Sequence, residues 1–314
     1  MTTTFDPNQT PQVSIAYQNT PNILDNGGCE IFQRGTSNSP IEGQYSVADR
    51  WKVASLNGTA TFSTSKETGA GNFDSGTSSL KLNLTATGSA TLFDLVNYVE
   101  NFAFYKGKTV SIYARVKSNV ATVLRMSDGP NVTTIATHTG SGNFETLQGT
   151  FTVSANATEL TPVFRNSASA IFTTYIDSVM LVLGSTPIPF VPTNPQVDLA
   201  RCMRFCQVFP GFATDGNAGP VGTGYTTGTT TGSVFVFLPV PLRALPTVTF
   251  NNPSGYIAHT IAGGNIAAAT ITAAIRDVLH LRFDVTVAGG FTSDRTLVLY
   301  SNNATSITVI SADL

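Results

Sequence analysis

Several stretches of this chain alternate apolar and polar residues with a period of two. Leu80, Leu82 and Leu84 are separated by Lys81 and Asn83, and Val110, Ile112, Ala114 and Val116 by Ser111, Tyr113 and Arg115. Leu279, Leu281, Phe283, Val285 and Val287 are interleaved with His280, Arg282, Asp284 and Thr286. Successive side chains of a strand leave on opposite sides, so each run buries one face and wets the other, as antiparallel sheets do. Phe151 and Val153 continue the pattern, and Tyr175 to Leu183 reads as a closing strand. Turn residues punctuate these runs at Gly69 to Gly76, Gly107, Asp128-Gly129-Pro130 and Gly140 to Asn143. No helix of normal length fits among them, although Phe93 to Tyr105 has room for one short turn. The expected fold class is all-β, with two tandem antiparallel sandwiches.

The length of 314 residues suits two domains. Charged residues make up 11% of the chain, against about 25% in typical soluble proteins, while 41% are hydrophobic. That is enough apolar matter to fill cores, so the chain is not a disordered one. Seventeen basic and nineteen acidic residues leave a net charge of −2, with no cluster of Lys and Arg. Gripping a phosphate backbone needs such a cluster, so nucleic acid is not an expected partner. No apolar run approaches the roughly 20 residues of a membrane span, and membrane insertion is not expected. Met1 to Asp6 lacks the basic and apolar regions of a signal peptide. The expectation is synthesis in a cytoplasm without export by the usual route.

Residues 1–21 are rich in Thr, Pro, Gln and Asn and read as an extended arm. Within it Val13, Ile15 and Tyr17 alternate as a strand added to a partner would, so the arm reads either as an anchoring peptide or as a plain tail. Residues 22–192 form the first expected sandwich. Pro187 to Pro195 should be stiff and extended, because each proline fixes φ and restricts its predecessor. A linker helix is expected within 193–207, with Asn194 as cap, Pro195 in the first position and Asp198 in the first turn. The second sandwich is expected over 208–314, entered through a long Gly- and Thr-rich loop from Phe209 to Gly232. Gly222 to Gly228 superficially suggests a phosphate cradle, but no Lys and helix follow it.

Three cysteines, Cys29, Cys202 and Cys206, do not make a disulfide framework. Cys202 and Cys206 lie four apart and are expected as buried thiols on the linker helix. His138, His259 and His280 stand in no zinc motif and beside no nucleophile signature, so surface or structural roles are expected. Glycoside cleavage needs two carboxylates set across a cleft, and nothing in the sequence singles out a pair. No 20- to 30-residue period announces a β-helix. The chain is therefore not expected to be an enzyme. Trp51 could stack on a sugar, and Tyr98, Phe102, Phe104 and Tyr105 could line the sandwich face or a groove, but packing in the core for the first and in a core or interface for the others is the favoured reading.

Asn22-Ile23-Leu24-Asp25-Asn26-Gly27-Gly28-Cys29-Glu30-Ile31-Phe32-Gln33-Arg34-Gly35, followed by Ala48-Asp49-Arg50-Trp51, resembles the opening of phage tail-fibre and related virion proteins. In that family the opening strand and an A-D-R-W motif begin a carbohydrate-binding-module-like jelly roll. Asp177-Ser178-Val179-Met180-Leu181 with Pro189-Phe190 is similar to its close. Asp198 to Phe205 and Pro241 to Val248 resemble the passage into a second β-sandwich. The likeness spans about residues 21 to 250, with Cys29 in place of an aromatic residue and Phe32 in place of Trp. It implies a virion protein, a homotrimeric tail fibre that attaches to host-surface glycans, or alternatively a head fibre or capsid decoration held to other virion proteins by the N-terminal arm. It also implies a structural calcium, with Glu30 and Asp177 in the ligand positions, where an ion would offset the cost of burying carboxylates. Leu199, Cys202, Met203 and Phe205 on the linker helix are the candidates for the trimer axis, the other reading being a helix packed only on its own domain.

Overall fold

The computed structural model describes residues 21–314 except 56, 74–75, 210–218, 261–263, 276, 304 and 314. Val13, Ile15 and Tyr17 therefore lie outside the described residues. Contacts divide the chain into two compact units, Met1–Asp198 and Leu199–Leu314.

The described strands of the first unit are β1 (Ser37–Asn38), β2 (Trp51–Ser55), β3 (Thr61–Glu67), β4 (Ser79–Ala86), β5 (Leu92–Asn97) and β6 (Thr109–Ser118). They continue as β7 (Thr122–Ser127), β8 (Val132–Thr137), β9 (Phe144–Thr152), β10 (Thr161–Ser167) and β11 (Phe172–Leu183). One sheet has the order β1-β3-β4-β11-β6-β9 and the other β2-β5-β10-β7-β8. The pairings are antiparallel. The alternation read in the sequence is the cause: Leu80, Leu82, Leu84, Val110, Ile112, Ala114 and Val116 all turn inward and are buried. Between the sheets Trp51 meets Phe164 at 5.8 Å, and Phe93 meets Phe62 at 4.9 Å and Phe172 at 5.8 Å. Burying each such side chain is worth roughly 1.5–3 kcal/mol. Phe93 to Tyr105 holds most of β5 and then the expected short turn, a 3-10 helix at Phe102–Tyr105.

The proline segment does not stand free. Ile188 is buried with Met180 and Val182, and Tyr113, Phe190 and Val191 pack on that group. The segment thus covers one end of the outer face of the six-stranded sheet. Helix α1 (Pro195–Met203) follows, with Asn194 Oδ1 accepting from the Gln196 amide at 2.9 Å. It ends earlier than expected, and Cys206 opens a strand instead of continuing the helix. All three cysteines are buried thiols outside any disulfide.

The second unit carries β12 (Cys206–Phe209), β13 (Gly219–Thr226), β14 (Thr231–Phe237), β15 (Thr247–Phe250), β16 (Tyr256–Thr260) and β17 (Gly264–Ile275). It continues as β18 (His280–Val287), β19 (Thr296–Ser301) and β20 (Thr308–Ser311). Here the expected sandwich takes the form of a closed barrel, β13-β14-β18-β17-β16-β19, with a three-stranded sheet β12-β20-β15. Phe250 of that sheet lies 4.9 Å from Phe283 and 6.0 Å from Tyr256, so both share one core. Part of the expected Gly/Thr loop is a strand. A Cβ on Gly224 would sit 1.8 Å from the Ser233 carbonyl, and one on Gly222 2.6 Å from that of Phe235. These glycines permit close strand approach, not a phosphate cradle.

Candidate functional site

The opening motif folds into a buried polar clasp. Asn26, at φ +53°, uses its whole amide. Its Nδ2 donates to the Ile31 and Asp49 carbonyls, both at 2.9 Å, and its Oδ1 accepts from the Glu30 and Ile31 amides at 2.9 and 3.0 Å. Trp51 Nε1 donates to the Asn26 carbonyl at 3.0 Å. Asp49 accepts from Gln33 through the backbone amide at 3.2 Å and through Nε2 at 2.5 Å, with Arg34 at 3.7 Å. Arg50 donates to Asp25 at 3.2 Å and to the Tyr98 carbonyl at 2.6 Å. Each of these buried groups has partners, as stability requires. Motif residues that could have served a ligand are therefore occupied in holding the sandwich shut, and Trp51 is fully buried in its core.

A second group of side chains lies on the outer face of the six-stranded sheet. Strand register sets Ser65, Lys81, Tyr175, Lys117 and Phe144 opposite one another in one row across five strands. Residues directly opposite in antiparallel pairs share a face. The Tyr175 ring has Lys117 Nζ at 5.4 Å and Lys81 Nζ at 5.7 Å, and the Phe144 ring has the Arg115 guanidinium at 5.3 Å and Lys117 Nζ at 5.9 Å. Lys117 is fixed by the Gly71 carbonyl at 2.8 Å and Asn72 Oδ1 at 3.0 Å, both neutral acceptors. Lys81 faces Glu67 at 3.7 Å. In the neighbouring row Thr173 Oγ1 donates to Asn83 Oδ1 at 3.0 Å. The result is a half-buried strip of rings, cations, amides and hydroxyls.

Glu30 and Asp177 lie close to one buried thiol. Burial pushes the Cys29 thiol well up, and the nearby carboxylates of Asp177 and Glu30 push it further. Glu30 accepts from the Thr77 amide at 2.6 Å, Thr77 Oγ1 at 2.7 Å and the Ser78 amide at 3.2 Å, and Ser78 Oγ, whose one proton it shares with the Cys29 carbonyl, lies at 3.1 Å from both. A carboxylate has about four lone-pair positions, so Glu30 is accounted for without an ion. Asp177 is buried at a bulge in β11. Among the described residues no set of three His, Cys, Asp or Glu is gathered to hold a metal. Calcium at Glu30 and Asp177 stays a proposal, and the donors around Glu30 weigh against it. Arg34 pairs with Asp49 and Arg50 with Asp25.

The proposed trimer-axis residues separate. Cys202 and Phe205 are each 1% exposed within the single chain, which removes them from any surface; Leu199 is exposed and Met203 half-buried. The Phe205 backbone instead accepts from the Ala312 amide at 2.7 Å. Of the histidines, His138 is buried in a turn, taking the Gly140 amide on Nδ1 at 2.8 Å and donating from Nε2 to the Asn143 carbonyl at 3.0 Å. His280 contacts Asp277, and His259 contacts Asn265. Phe102 and Tyr105 pack on the core as expected, but Phe104 is exposed, with Lys108 Nζ 3.4 Å over its ring. The row through Tyr175 was not read as a site from the sequence. Its signal was register, which alternation alone does not supply.

No protein-family model and no curated protein matches this chain. Among solved structures, a cyclase from Fischerella sp. TAU in complex with 4-(1H-indol-3-yl)butan-2-one is similar over 52% of this chain and 96% of its own, at 10% identity and a TM-score of 0.39. The enzymatically active domain of bacteriophage CBA120 tailspike protein 4 is similar over 52% of this chain and 21% of its own, at 16% identity and 0.38. The CBM22-1 xylan-binding domain of Paenibacillus barcinonensis Xyn10C covers 48% and 94%, at 15% and 0.32. Likeness at this level carries no functional inference.

Proposed function

We propose that this chain is a non-enzymatic structural protein of a bacteriophage virion, a homotrimeric tail fibre whose first unit attaches to host-surface glycans. The observation that carries attachment is the half-buried strip through Lys81, Tyr175, Lys117 and Phe144 on the outer face of the six-stranded sheet. Rings offer apolar faces to sugar C–H groups, while neighbouring cations and amides bond hydroxyls or acidic substituents. The virion assignment is supported by the order and spacing of the opening, closing and linker motifs. It is supported further by the contacts between those motifs: Asn22 Nδ2 of the opening donates to the Val179 carbonyl of the close at 2.8 Å, and the Asn26 amide donates to Asp198 Oδ1 of the linker helix at 3.0 Å.

Glycan-array binding by the whole protein tests the attachment. Tyr175→Ala and Lys117→Ala should each weaken retained glycans about tenfold, near 1.4 kcal/mol, without changing the fold. Undiminished binding in both would remove the strip as the site. Labelled intact particles distinguish tail from head, and label over the head would favour the decoration protein. Light scattering that returns a monomer, or sugar release from host glycans, would count against the trimer and the non-enzymatic reading respectively.

A further inference from the structure

The turn that leads into β9 is built round a buried imidazole. His138 has no exposed surface, and both of its ring nitrogens are engaged. Nδ1 accepts from the Gly140 amide at 2.8 Å, and Nε2 donates to the Asn143 carbonyl at 3.0 Å. An amide N–H can only donate and a carbonyl can only accept, so the two bonds fix one tautomer, neutral with its proton on Nε2. The turn is fastened to its neighbour as well: the His138 amide donates to the Thr122 carbonyl and the Gly142 amide to that of Ser118, both at 2.8 Å. A Cβ on Gly140, at φ +81°, would lie 3.0 Å from the Val120 backbone, so the two turns are in close contact.

A second proton has one place to go, Nδ1, and there it meets the Gly140 N–H head-on. An anion stands close by, with Glu145 Oε1 3.7 Å from Nδ1. Glu145 accepts from the Thr139 amide at 2.9 Å, from Ser141 Oγ at 2.7 Å and from Thr139 Oγ1. Burial pushes its carboxyl up, but those donors outweigh this and hold it at about 2. It is therefore ionised throughout the range of about pH 5 to 8 in which an imidazole changes charge. The other charged groups of the surrounding elements point elsewhere. The β6–β7 turn, Asn119 to Ala121, and β8 have no ionisable side chain, and β9 has Glu145 alone. In β7, Arg125 alternates with the buried Leu124 and Met126 and so faces outward, and in β6 the head groups of Arg115 and Lys117 lie by the Phe144 and Tyr175 rings.

We propose that His138 is a proton switch on the sheet strip. Protonation expels the Gly140 amide from Nδ1 and makes that nitrogen a donor toward Glu145. Phe144 stands between Asn143, tied to Nε2, and Glu145, the new acceptor, so the start of β9 moves with the ring. Its own ring lies 5.3 Å from the Arg115 guanidinium and 5.9 Å from Lys117 Nζ, which carries the movement into the strip. Resting on the strip as the attachment site, this gives a surface that holds at neutral pH and loosens in acid.

NMR on the isotope-labelled full chain between pH 8 and pH 5 tests the switch without any ligand. The His138 ring should titrate in that range, and the Gly140 amide and Phe144 ring signals should move with the same midpoint. Glu145→Gln removes the anion that Nδ1–H turns to and should shrink the Phe144 movement. A ring that stays neutral down to pH 5, or one that titrates while Gly140 and Phe144 stand still, overturns the inference. Glycans retained at pH 8 should bind about fivefold more weakly at pH 5, the low end of ordinary coupling between sites. His138→Gln keeps a donor and an acceptor but takes no proton, and it should abolish that difference. A difference that persists in this variant, or equal binding at both pH values in the unmodified chain, also overturns it. Tyr175→Ala and Lys117→Ala at pH 8 test the strip apart from the proton, so loss of the switch and loss of the strip are told apart.

Discussion

Asn26 shows how much a single side chain can carry. Four hydrogen bonds to buried and part-buried backbone groups, made from a left-handed residue, knit the opening turn to the segment before β2. Asn26→Ala would leave those groups unsatisfied, each costing about 1–3 kcal/mol. We expect a loss of about 3 kcal/mol or more in urea unfolding, and a loss below 1 kcal/mol would show the clasp to be incidental. Glu145 gives a pH signature. Burial pushes its carboxyl up, but hydrogen bonds from Thr139 Oγ1, Ser141 Oγ and the Thr139 amide, with His138 nearby, outweigh this and hold it at about 2 against an ordinary 4.5. A depressed folded pKa means that its stabilisation is present above pH 4.5 and is lost as pH falls toward 2. Glu145→Gln should flatten the pH dependence of the thermal midpoint in that window; an unchanged slope would refute the assignment. Glu30 supplies a third case. With three protein donors and a shared hydroxyl already on it, a chelator should leave the midpoint unchanged, and a fall reversed by calcium would establish the ion. The opening motif was legible in the sequence as a pattern, yet its task was not. Hydrogen bonds joining Asn26 to Ile31 and Asp49 depend on backbone direction, which spacing does not reveal.

Strands were easier to read than the spaces between them. β4, β6 and β18 follow directly from their alternating residues, because burial of one face sets both period and orientation. β13 escaped, since Gly222 and Gly224 signal loop by propensity while the barrel needs them to let β14 approach. The same need makes a test. Gly224→Ala would place a methyl against the Ser233 carbonyl and force the β13–β14 ladder apart. Overpacking typically costs about 1–3 kcal/mol, and the loss should fall on the barrel. Retained barrel stability would mean that the strand can shift at little cost. Helix α1 was placed correctly at its start, where Asn194 caps it, and overextended at its end. Cys206 fits a helical spacing from Cys202, but pairing with Ser311 in the sheet wins.

Each unit has a core of its own, and the chain offers a way to watch one of them alone. Trp51 is the single tryptophan and is buried in the first unit, so its fluorescence reports that unit only. The division between units falls inside α1, after Asp198. Asp198 Oδ1 accepts from the Asn26 amide at 3.0 Å, a bond across 172 residues that makes the first turn of the helix part of the opening clasp. A hydrogen bond to a charged group is worth about 1.5–3 kcal/mol. Asp198→Ala should therefore lower the fluorescence midpoint by several degrees, at about 2–4 °C per kcal/mol for a unit of this size. The barrel holds no tryptophan, and its unfolding is the far-ultraviolet circular dichroism transition that the fluorescence does not report, since that dichroism follows the strands of both units. Asp198→Ala should leave that transition in place, whereas Gly224→Ala should move it and spare the fluorescence. A single transition shifted equally by both substitutions would show that the two cores melt as one, and that the boundary drawn inside the helix has no thermodynamic meaning.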